Sequence, residues 1–324
     1  MGDTLNVLTD DEIAFFKTNG YLILRGALDP EGCSRARDML WASLPDGTRI
    51  RRDDPSTHVG PFADSDTNDD VQDLREGYRW QLRRVGTDSQ LLDLVFCDRL
   101  VAAAEALLGA GTLRAPVVHG MPMGTQGAAW PGGPVDPALG TEGVRGIYCT
   151  LPYGEHRSGR LGCHTDGHPF NLGIVGLIGD VPPDGGAFQV WPGSHRRLYP
   201  TFLMQYDQPR IPYYDHLPSY KGILHTPEYE AELARVIEDT EPVDCCGEAG
   251  DVVLWHHRLA HAAGHNHTDV MRQAVLYDFT KTDLDDCRRD PPQDEMWRDW
   301  SEALRASEGT YPAAMDRTQR PALA

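Results

Sequence analysis

The sequence lacks any apolar run long enough to cross a membrane, because no segment approaches the roughly 20 consecutive apolar residues that a spanning helix needs. Its first residues also lack the basic start and apolar core of a secretory signal. Basic residues are few beside acidic ones, 30 against 49, which gives a formal charge of -19 and a pI near 5.0. A nucleic-acid backbone or an anionic membrane would meet repulsion over most of such a surface. We therefore expect a soluble chain with no nucleic-acid and no membrane partner.

The sequence also lacks the cysteine pattern of a disulfide framework. Its seven cysteines are an odd set without a repeated C-x-x-C spacing, and Cys245 and Cys246 are adjacent. This usage suits reduced thiols and predicts a cytoplasmic location. Internal repeats and low-complexity tracts are missing too. With 324 residues, of which 40% are hydrophobic, the chain has ample material for an ordinary globular core.

The N-terminal third is predicted to be mainly helical. The T-x-x-E pattern at Thr9 is a capping box, and the Asn-Gly pair at 19–20 is a typical helix stop. The apolar run YLILRGAL predicts a strand, and DPEGCSRARDMLWASL opens with an Asp-Pro pair that favours a second helix. Apolar residues at three- and four-residue spacing predict helix over 88–109, in one or two pieces. The charged segment from Pro45 to Gly77 is interpreted as a long surface loop or lid.

Beyond Thr112 the pattern changes to short β-type runs separated by Gly and Pro. The strand candidates are TLRAPVVHGMPM, GIYCTLPY, FNLGIVGLIGD, AFQVWPGSH, DVVLWHH and MRQAVLYDF. Such strands and turns predict a sandwich or a barrel. Two stretches interrupt them, a Gly/Pro-rich loop from Gly124 to Gly146 and an insertion from Tyr199 to Glu241 that holds the helical piece TPEYEAELARVIED. DEMWRDWSEALRA predicts a C-terminal amphipathic helix.

The segment CHTDGHP carries the first sign of a metal site. His164 and Asp166 are two residues apart, so in an extended strand both side chains project from the same face. A third ligand is expected from a distant strand, and WHHRLAHAAGHNH offers five histidines, namely His256, His257, His261, His265 and His267. A mixed nitrogen and oxygen set with only three protein ligands leaves coordination positions open. That arrangement is typical of non-heme Fe(II) oxygenases.

Four motifs, in order, resemble those of the phytanoyl-CoA dioxygenase family of Fe(II)/2-oxoglutarate-dependent oxygenases. They are LTDDEIAFFKTNGYLILRGALDPE, CHTDGHP, GGAFQVWPGSHR and GDVVLWHHRLAHAAGHNHTDVMRQAVLYDF. The resemblance touches most of the chain from Leu8 to Phe279. It implies a mainly β fold with flanking α-helices, a double-stranded β-helix of the jelly-roll or cupin-like type. It also implies Fe(II) as cofactor, with 2-oxoglutarate and O2 as cosubstrates.

The resemblance also implies roles for individual residues. His164, Asp166 and His261 match the metal ligands, and Arg272 matches the arginine that binds the far carboxylate of 2-oxoglutarate. A planar guanidinium suits that task because it binds a carboxylate through two hydrogen bonds and stays charged when partly buried. Three further residues are candidates for the cosubstrate pocket, namely Tyr148, Gln189 and Trp191. Two further histidines are interpreted as structural, namely His168 and His195.

The implied organisation is a single oxygenase domain over residues 1–324. Residues 1–110 would form N-terminal helices and a lid segment, residues 112–280 the β-helix core, and residues 281–324 a C-terminal helix and tail. The expected reaction is hydroxylation of an unactivated C–H bond in a small organic metabolite or natural-product intermediate, with succinate and CO2 as coproducts. Asp166 stands where related halogenases have a small residue, which argues against halogenation. Substrate contacts are expected from Pro45 to Gly77, from Gly124 to Gly146 and from Thr201 to Tyr220.

Several alternatives stay open at this stage. The same oxidant could serve desaturation, ring closure or epimerisation, and the substrate could be an acyl-CoA, although coenzyme A would need a basic patch. Another metal enzyme on a cupin-like barrel would use the same three ligands, but it would have no need of Arg272. A non-catalytic protein that binds a metal or ligand on the same fold would be expected to show an eroded site, whereas all four matched positions are intact.

Overall fold

The computed structural model of the chain describes residues 7–44, 48–62, 73–76, 78–82, 84–114, 144–154, 162–167, 169–206 and 226–309. Within those ranges, no helix combines the length and the apolar character that crossing a bilayer requires. Several sequence predictions fall outside the described residues. These are His168, most of the strand candidate TLRAPVVHGMPM, nearly all of the Gly/Pro-rich loop from Gly124 to Gly146, and residues 207–225 of the insertion.

The N-terminal helices begin and end where their capping residues predict. Helix α1 (Asp10–Asn19) has the capping box, in which the Thr9 hydroxyl accepts from the Glu12 amide and the Glu12 carboxylate accepts from the Thr9 amide. Gly20 ends α1 with φ of 80°, a left-handed conformation that favours glycine. Helix α2 (Pro30–Ala42) starts at the predicted Asp-Pro pair. The helical pattern over 88–109 is confirmed as two pieces, α3 (Ser89–Val95) and α4 (Asp98–Leu108).

The described strands form two antiparallel sheets. The larger sheet consists of β1 (Tyr21–Leu24), β2 (Asp73–Glu76), β3 (Arg79–Leu82), β4 (Val144–Thr150), β5 (Leu172–Leu177), β8 (Val252–His256) and β10 (Arg272–Phe279), in the spatial order β1-β8-β5-β10-β4-β3-β2. The smaller sheet consists of β6 (Phe188–Val190), β7 (Val243–Cys245) and β9 (His261–Ala263), in the order β7-β6-β9. The remaining α-helices of the described residues are the 13-residue α6 (Pro227–Asp239) and three short ones, α5 (Ser194–Leu198), α7 (Leu284–Cys287) and α8 (Glu302–Ala306).

The larger sheet buries both of its faces, and alternation along each strand decides which residue goes to which face. Ile147 and Val275 pack with α2, α3 and α4 on the helical face. Tyr148 and Ala274, one residue along on β4 and β10, pack instead with Phe188 of the smaller sheet. We call the face that carries Tyr148 and Ala274 the inner face. The two sheets enclose a second apolar core between them, and the candidate site lies against that core.

Two sequence predictions are wrong in part. The segment from Pro45 to Gly77 is not simply a loop, because it contains a 3-10 turn at Pro55–His58 and strand β2, which pairs with β3 at the sheet edge. The C-terminal helix is reduced to the five residues of α8. Trp297 and Trp300 are buried beside Phe16 of α1, with ring centroids 6.4 and 5.9 Å from it, so they anchor a turn rather than a helix face.

Candidate metal centre

An antiparallel bridge brings His164 beside His261, although the two residues are far apart in the chain. The His164 amide donates to the His261 carbonyl over 3.0 Å, and the His261 amide donates to the His164 carbonyl over 2.9 Å. His261 opens β9, whereas His164 forms only an isolated bridge and not the regular strand expected from the sequence. Asp166 Oδ1 lies 3.7 Å from His164 Nε2 and 3.6 Å from His261 Nε2. One ligand atom from each of these three residues lies within 4.8 Å of the other two.

Backbone carbonyls set the tautomer of both imidazoles. His164 Nδ1 lies 2.8 Å from the Gly162 carbonyl, and His261 Nδ1 lies 2.9 Å from the Leu259 carbonyl. A carbonyl only accepts, so the proton of each neutral ring belongs on Nδ1, and the Nε2 lone pair points toward Asp166. Burial lowers the pKa of His261, and the neighbouring His164 lowers it further. The ring therefore stays neutral and able to bind a cation.

The two oxygens of Asp166 have different neighbours. Oδ1 faces the two histidines, whereas Oδ2 accepts a hydrogen bond of 3.0 Å from Arg145 Nη1. Burial acts to raise the pKa of the Asp166 carboxyl, but the positive charge of Arg145, together with the two adjacent imidazoles, outweighs it. The pKa is held well below its usual range. Asp166 is consequently an anion at any ordinary pH, as a metal ligand must be.

Aromatic packing fixes the His261 ring. Trp255 of β8 and Phe188 of β6 lie against it, with ring centroids 4.5 and 5.2 Å away. The Trp255 indole fits only because Gly173 stands opposite it on β5, where an added Cβ would come within 2.6 Å of three indole atoms. His164 is the least covered of the three side chains, 29% exposed against 12% for Asp166 and 7% for His261. The site therefore opens to solvent on the His164 side.

The insertion reaches the site through Tyr229 of α6. Its buried hydroxyl accepts from the Thr165 amide over 3.2 Å and lies 3.1 Å from the Thr165 hydroxyl, so it holds the residue between His164 and Asp166. Helix α6 is itself tied to α5, because Arg197 pairs with Glu232 over 2.6 Å. The helix predicted inside the insertion is confirmed. Its role in holding the H-x-D segment was not expected from the sequence.

Tyr229→Phe is expected to lower the free energy of unfolding by about 1–3 kcal/mol, because the buried Thr165 amide loses its acceptor. It is also expected to weaken divalent-metal binding, since the H-x-D segment gains freedom. Urea denaturation of the metal-free protein and calorimetric titration with Co(II) measure the two effects. Tyr199→Phe is a matched control, because the Tyr199 hydroxyl also accepts a backbone amide, that of Gln293, over 3.1 Å. Equal metal affinity in the two variants would contradict the role of Tyr229.

Arg272 begins β10 on the inner face of the larger sheet. Arg272 pairs with Thr150 of β4, and Ala274, two residues further along β10, pairs with Tyr148. Residues two apart on a strand share a face, so the side chains of Arg272 and Tyr148 lie on the same face. The Arg272 side chain is buried, and its Nε has no hydrogen-bond partner among the described residues. Burial lowers its pKa to about 10, and Cys149 and Cys245 only partly offset that effect. A buried guanidinium that is charged at neutral pH favours a partner with a negative charge.

The two remaining candidates for the cosubstrate pocket are placed differently. Gln189 lies between Phe188 and Val190 on β6 and pairs with Asp244, to which its amide donates over 2.8 Å. Trp191 is buried in an apolar cluster with Ala262 and Tyr229. Neither observation tests their assignment to the pocket, which stays a prediction.

The other histidines lie outside the group of three. His256 and His257 are fully buried, where His256 Nδ1 accepts from the Arg258 amide and His257 Nε2 lies 3.0 Å from the Gln205 carbonyl. His195 is also buried, and its Nε2 donates to the Lys17 carbonyl over 3.2 Å. Two more histidines stack on each other with ring centroids 5.5 Å apart, after the end of β9, namely His265 and His267.

Three buried imidazoles predict that stability falls in mild acid. Burial lowers the pKa of His195 to about 3 and places the pKa values of His256 and His257 well below the usual range. Below the unfolded value of about 6.5, the unfolded chain binds more protons than the folded one. The unfolding free energy is therefore expected to fall with falling pH, by about 1.4 kcal/mol per pH unit for each imidazole.

Urea denaturation between pH 7 and pH 5 measures this slope. His195→Gln removes one titrating ring and is expected to reduce the slope by up to roughly one third, since His261, whose pKa is also lowered, adds to the total. A stability that does not change over this interval would contradict the neutral state of the three rings.

Residues 157–274 match the family model of phytanoyl-CoA dioxygenase (PhyH). Among solved structures, the chain is similar to EctD from S. alaskensis with bound Fe, with a TM-score of 0.50 and 15% identity over 88% of this chain and 80% of that one. AviO1 from Streptomyces viridochromogenes Tue57 has a TM-score of 0.46 and 17% identity over 87% and 98% of the two chains. The epimerase SnoN from nogalamycin biosynthesis has a TM-score of 0.46 and 17% identity over 84% and 81%. No curated protein matches the sequence.

A mainly β fold that gathers two imidazoles and one carboxylate is typical of mononuclear non-heme iron enzymes. The likeness to EctD, at this identity, shows the shared fold. The match to the family model is confined to residues 157–274. That segment is PhyH-like, and the match indicates an Fe(II)/2-oxoglutarate-dependent oxidoreductase that uses O2, as the four motifs predicted.

Proposed function

We propose that the chain hydroxylates an unactivated C–H bond of a small organic metabolite or natural-product intermediate, with 2-oxoglutarate consumed to succinate and CO2. His164, Asp166 and His261 would hold Fe(II), and Arg272 would bind the far carboxylate of 2-oxoglutarate. The observation that carries the proposal is a set of three ligand atoms within 4.8 Å, all of them in the ionisation or tautomeric state that a metal requires. The polypeptide would be a double-stranded β-helix within one domain, which the two facing antiparallel sheets support.

The residues present fit both groups. Two imidazoles and one carboxylate are a donor set that suits Fe(II) and leaves positions open. Arg272 fits a carboxylate, because it is buried on the inner face and forms no ion pair with any carboxylate of the described residues. Bound iron would supply the redox chemistry that couples decarboxylation of 2-oxoglutarate to oxidation of the substrate.

The protein's own part is to bind, orient and exclude water. His164 and His261 would present Nε2 lone pairs fixed by the carbonyls on Nδ1. Trp255 and Phe188 shield His261 from water, which strengthens the electrostatic interactions there. Arg272 would orient 2-oxoglutarate from the opposite end, and Tyr148, on the same face, would line the space between. The more exposed His164 marks the side from which the substrate would approach.

The arginines of the basic segment RIRR at residues 49–52 already have partners within the protein, so they are poorly placed to bind the phosphates of an acyl-CoA. Arg49 donates to the carbonyls of Val59 and Pro61, and Arg51 donates to the carbonyls of Thr48 and Ile50. Arg52 is paired with Asp38 over 2.6 Å. These engagements support a substrate smaller and less anionic than coenzyme A.

Aerobic incubation of the Fe(II)-loaded protein with 2-oxoglutarate and a panel of metabolites tests the proposal. Succinate should form, and a true substrate should raise its yield and give a product heavier by one oxygen atom in mass spectrometry. A product lighter by two hydrogen atoms would instead show desaturation or ring closure. A product isomeric with the substrate would show epimerisation. Metal-dependent conversion without consumption of 2-oxoglutarate would overturn the proposal and favour another metal enzyme.

A further inference from the structure

Arg145 occupies an irregular position on β4. Leu276 pairs with Gly146, but the next residue of β10, Tyr277, pairs with Val144, so Arg145 is an extra residue opposite the shift in register. Gly146 has φ of 111°, a conformation that favours glycine. The strand therefore carries a β-bulge at Arg145. Bulges bend a strand locally and change the direction in which a side chain points.

The bulge brings the Arg145 side chain to the inner face. In a regular strand, Arg145 would share the helical face with Ile147 and Cys149, which pack in the apolar core beneath the helices. Its guanidinium instead lies over the Tyr148 ring, 5.7 Å from the centroid, and contacts Asp166. Arg145 is nearly fully buried, at 3% exposure. An apolar side chain would suit the regular position, which faces the apolar core. The bulge instead directs the charged side chain toward Asp166.

Arg145 contacts two buried carboxylates, and it contacts Asp166 through only one of the two carboxylate oxygens. Nη1 lies 3.0 Å from Oδ2 of Asp166 and 3.4 Å from Oδ1 of Asp278, which lies on β10 in step with Ala274 and Leu276. Oδ1 of Asp166 is left to face the two histidines. One guanidinium thus fixes the carboxylate orientation and offsets the charge of a second buried carboxylate. Hydrogen bonds between charged groups are stronger than those between neutral ones.

We propose that Arg145 is a positioning residue that makes Asp166 a ligand through Oδ1 alone. The inference rests on the proposed function. A carboxylate that bound through both oxygens would occupy one more coordination position. Two imidazoles and a single carboxylate oxygen would leave more positions on the metal open for the cosubstrates than ligation through both oxygens would. Arg145 therefore sets how many positions remain, as well as how tightly the metal is held.

Calorimetric titration of the metal-free protein with Co(II), used as an air-stable probe, tests this role. Arg145→Gln is expected to weaken Co(II) binding about 10- to 100-fold, the range found for residues that orient metal ligands. Arg145→Lys keeps the charge and is expected to recover part of that loss. Arg25→Gln is the matched control, because Arg25 forms a 2.6 Å ion pair with the buried Asp251 outside the site. It should lower the melting temperature and leave Co(II) affinity unchanged.

A second readout distinguishes positioning from a general loss of stability. Fe(II) and 2-oxoglutarate bound together are expected to give a weak visible charge-transfer band. With both at saturating concentration under anaerobic conditions, this band should be weaker in Arg145→Gln than in the wild-type protein. Wild-type Co(II) affinity and an unchanged band in Arg145→Gln would overturn the inference. If that variant does not fold, Arg145→Lys decides, with reduced affinity as the expected result and wild-type affinity as the contrary one. Failure of the wild-type protein itself to bind Co(II) would instead count against the proposed function.

Discussion

Asp166→Ala is expected to abolish iron binding and 2-oxoglutarate turnover while leaving a folded protein. Asp166 is the only carboxylate in the described group of three, and both histidines face its Oδ1. Loss of a residue that merely orients a ligand costs about 10- to 100-fold in metal affinity or activity, so loss of the ligand itself should cost more than about 100-fold. Arg145 keeps Asp278 as a partner, so the variant does not leave an isolated buried charge.

Succinate formation and bound iron per chain measure this effect, and thermal melting of the metal-free variant checks the fold. Asp269→Ala is a suitable control, because Asp269 is an exposed carboxylate in the same closing segment and lies outside the group of three. We expect the control to resemble the wild-type protein in all three measurements. Turnover of 2-oxoglutarate by Asp166→Ala at the wild-type rate would show that the ligand assignment is wrong.

Arg272→Ala is expected to raise the KM for 2-oxoglutarate by about 30-fold or more. Removal of one partner of a buried charge pair costs about 2–5 kcal/mol or more, and each 1.4 kcal/mol is a tenfold change. Affinity for the metal alone should change little, because Arg272 has no contact with the three ligand residues among the contacts described. A large rise in the KM for 2-oxoglutarate with little change in metal affinity is specific to a residue that binds the carboxylate of the cosubstrate.

Initial rates of succinate formation against 2-oxoglutarate concentration measure the KM, and Co(II) calorimetry measures the metal affinity. Arg272→Lys retains a positive charge but loses the planar pair of donors, so its KM should lie between those of the wild-type protein and Arg272→Ala. An unchanged KM in Arg272→Ala would show that Arg272 does not bind 2-oxoglutarate. It would favour the alternative of another metal enzyme on the same fold.

Local patterns predict the elements whose signals lie within a few residues. The capping box at Thr9 places α1, and the Asp-Pro pair at 29–30 places α2, because each cap forms between side chains and amides of the same turn. The H-x-D motif is also local. Its partner His261 is predicted only through the resemblance, since five histidines of the closing segment are equal candidates on spacing alone.

Residues whose positions depend on distant pairing could not be predicted. Arg145 reaches Asp166 only because the register between β4 and β10 shifts by one residue, and no local pattern records such a shift. Tyr229 lies in an insertion whose path to Thr165 depends on the packing of α6 against α5. Strand β2 has the sequence DLRE, which has no strand pattern of its own, so pairing with β3 determines it.

We expect this chain to bind Fe(II) and 2-oxoglutarate together through His164, Asp166, His261 and Arg272. Anaerobic titration of the metal-free protein with Fe(II), with and without 2-oxoglutarate, tests it through the weak visible charge-transfer band of the chelate. We predict a band that needs both components and weakens in Arg272→Ala. The absence of a band, with iron and 2-oxoglutarate each shown to bind poorly, would contradict joint binding at this site.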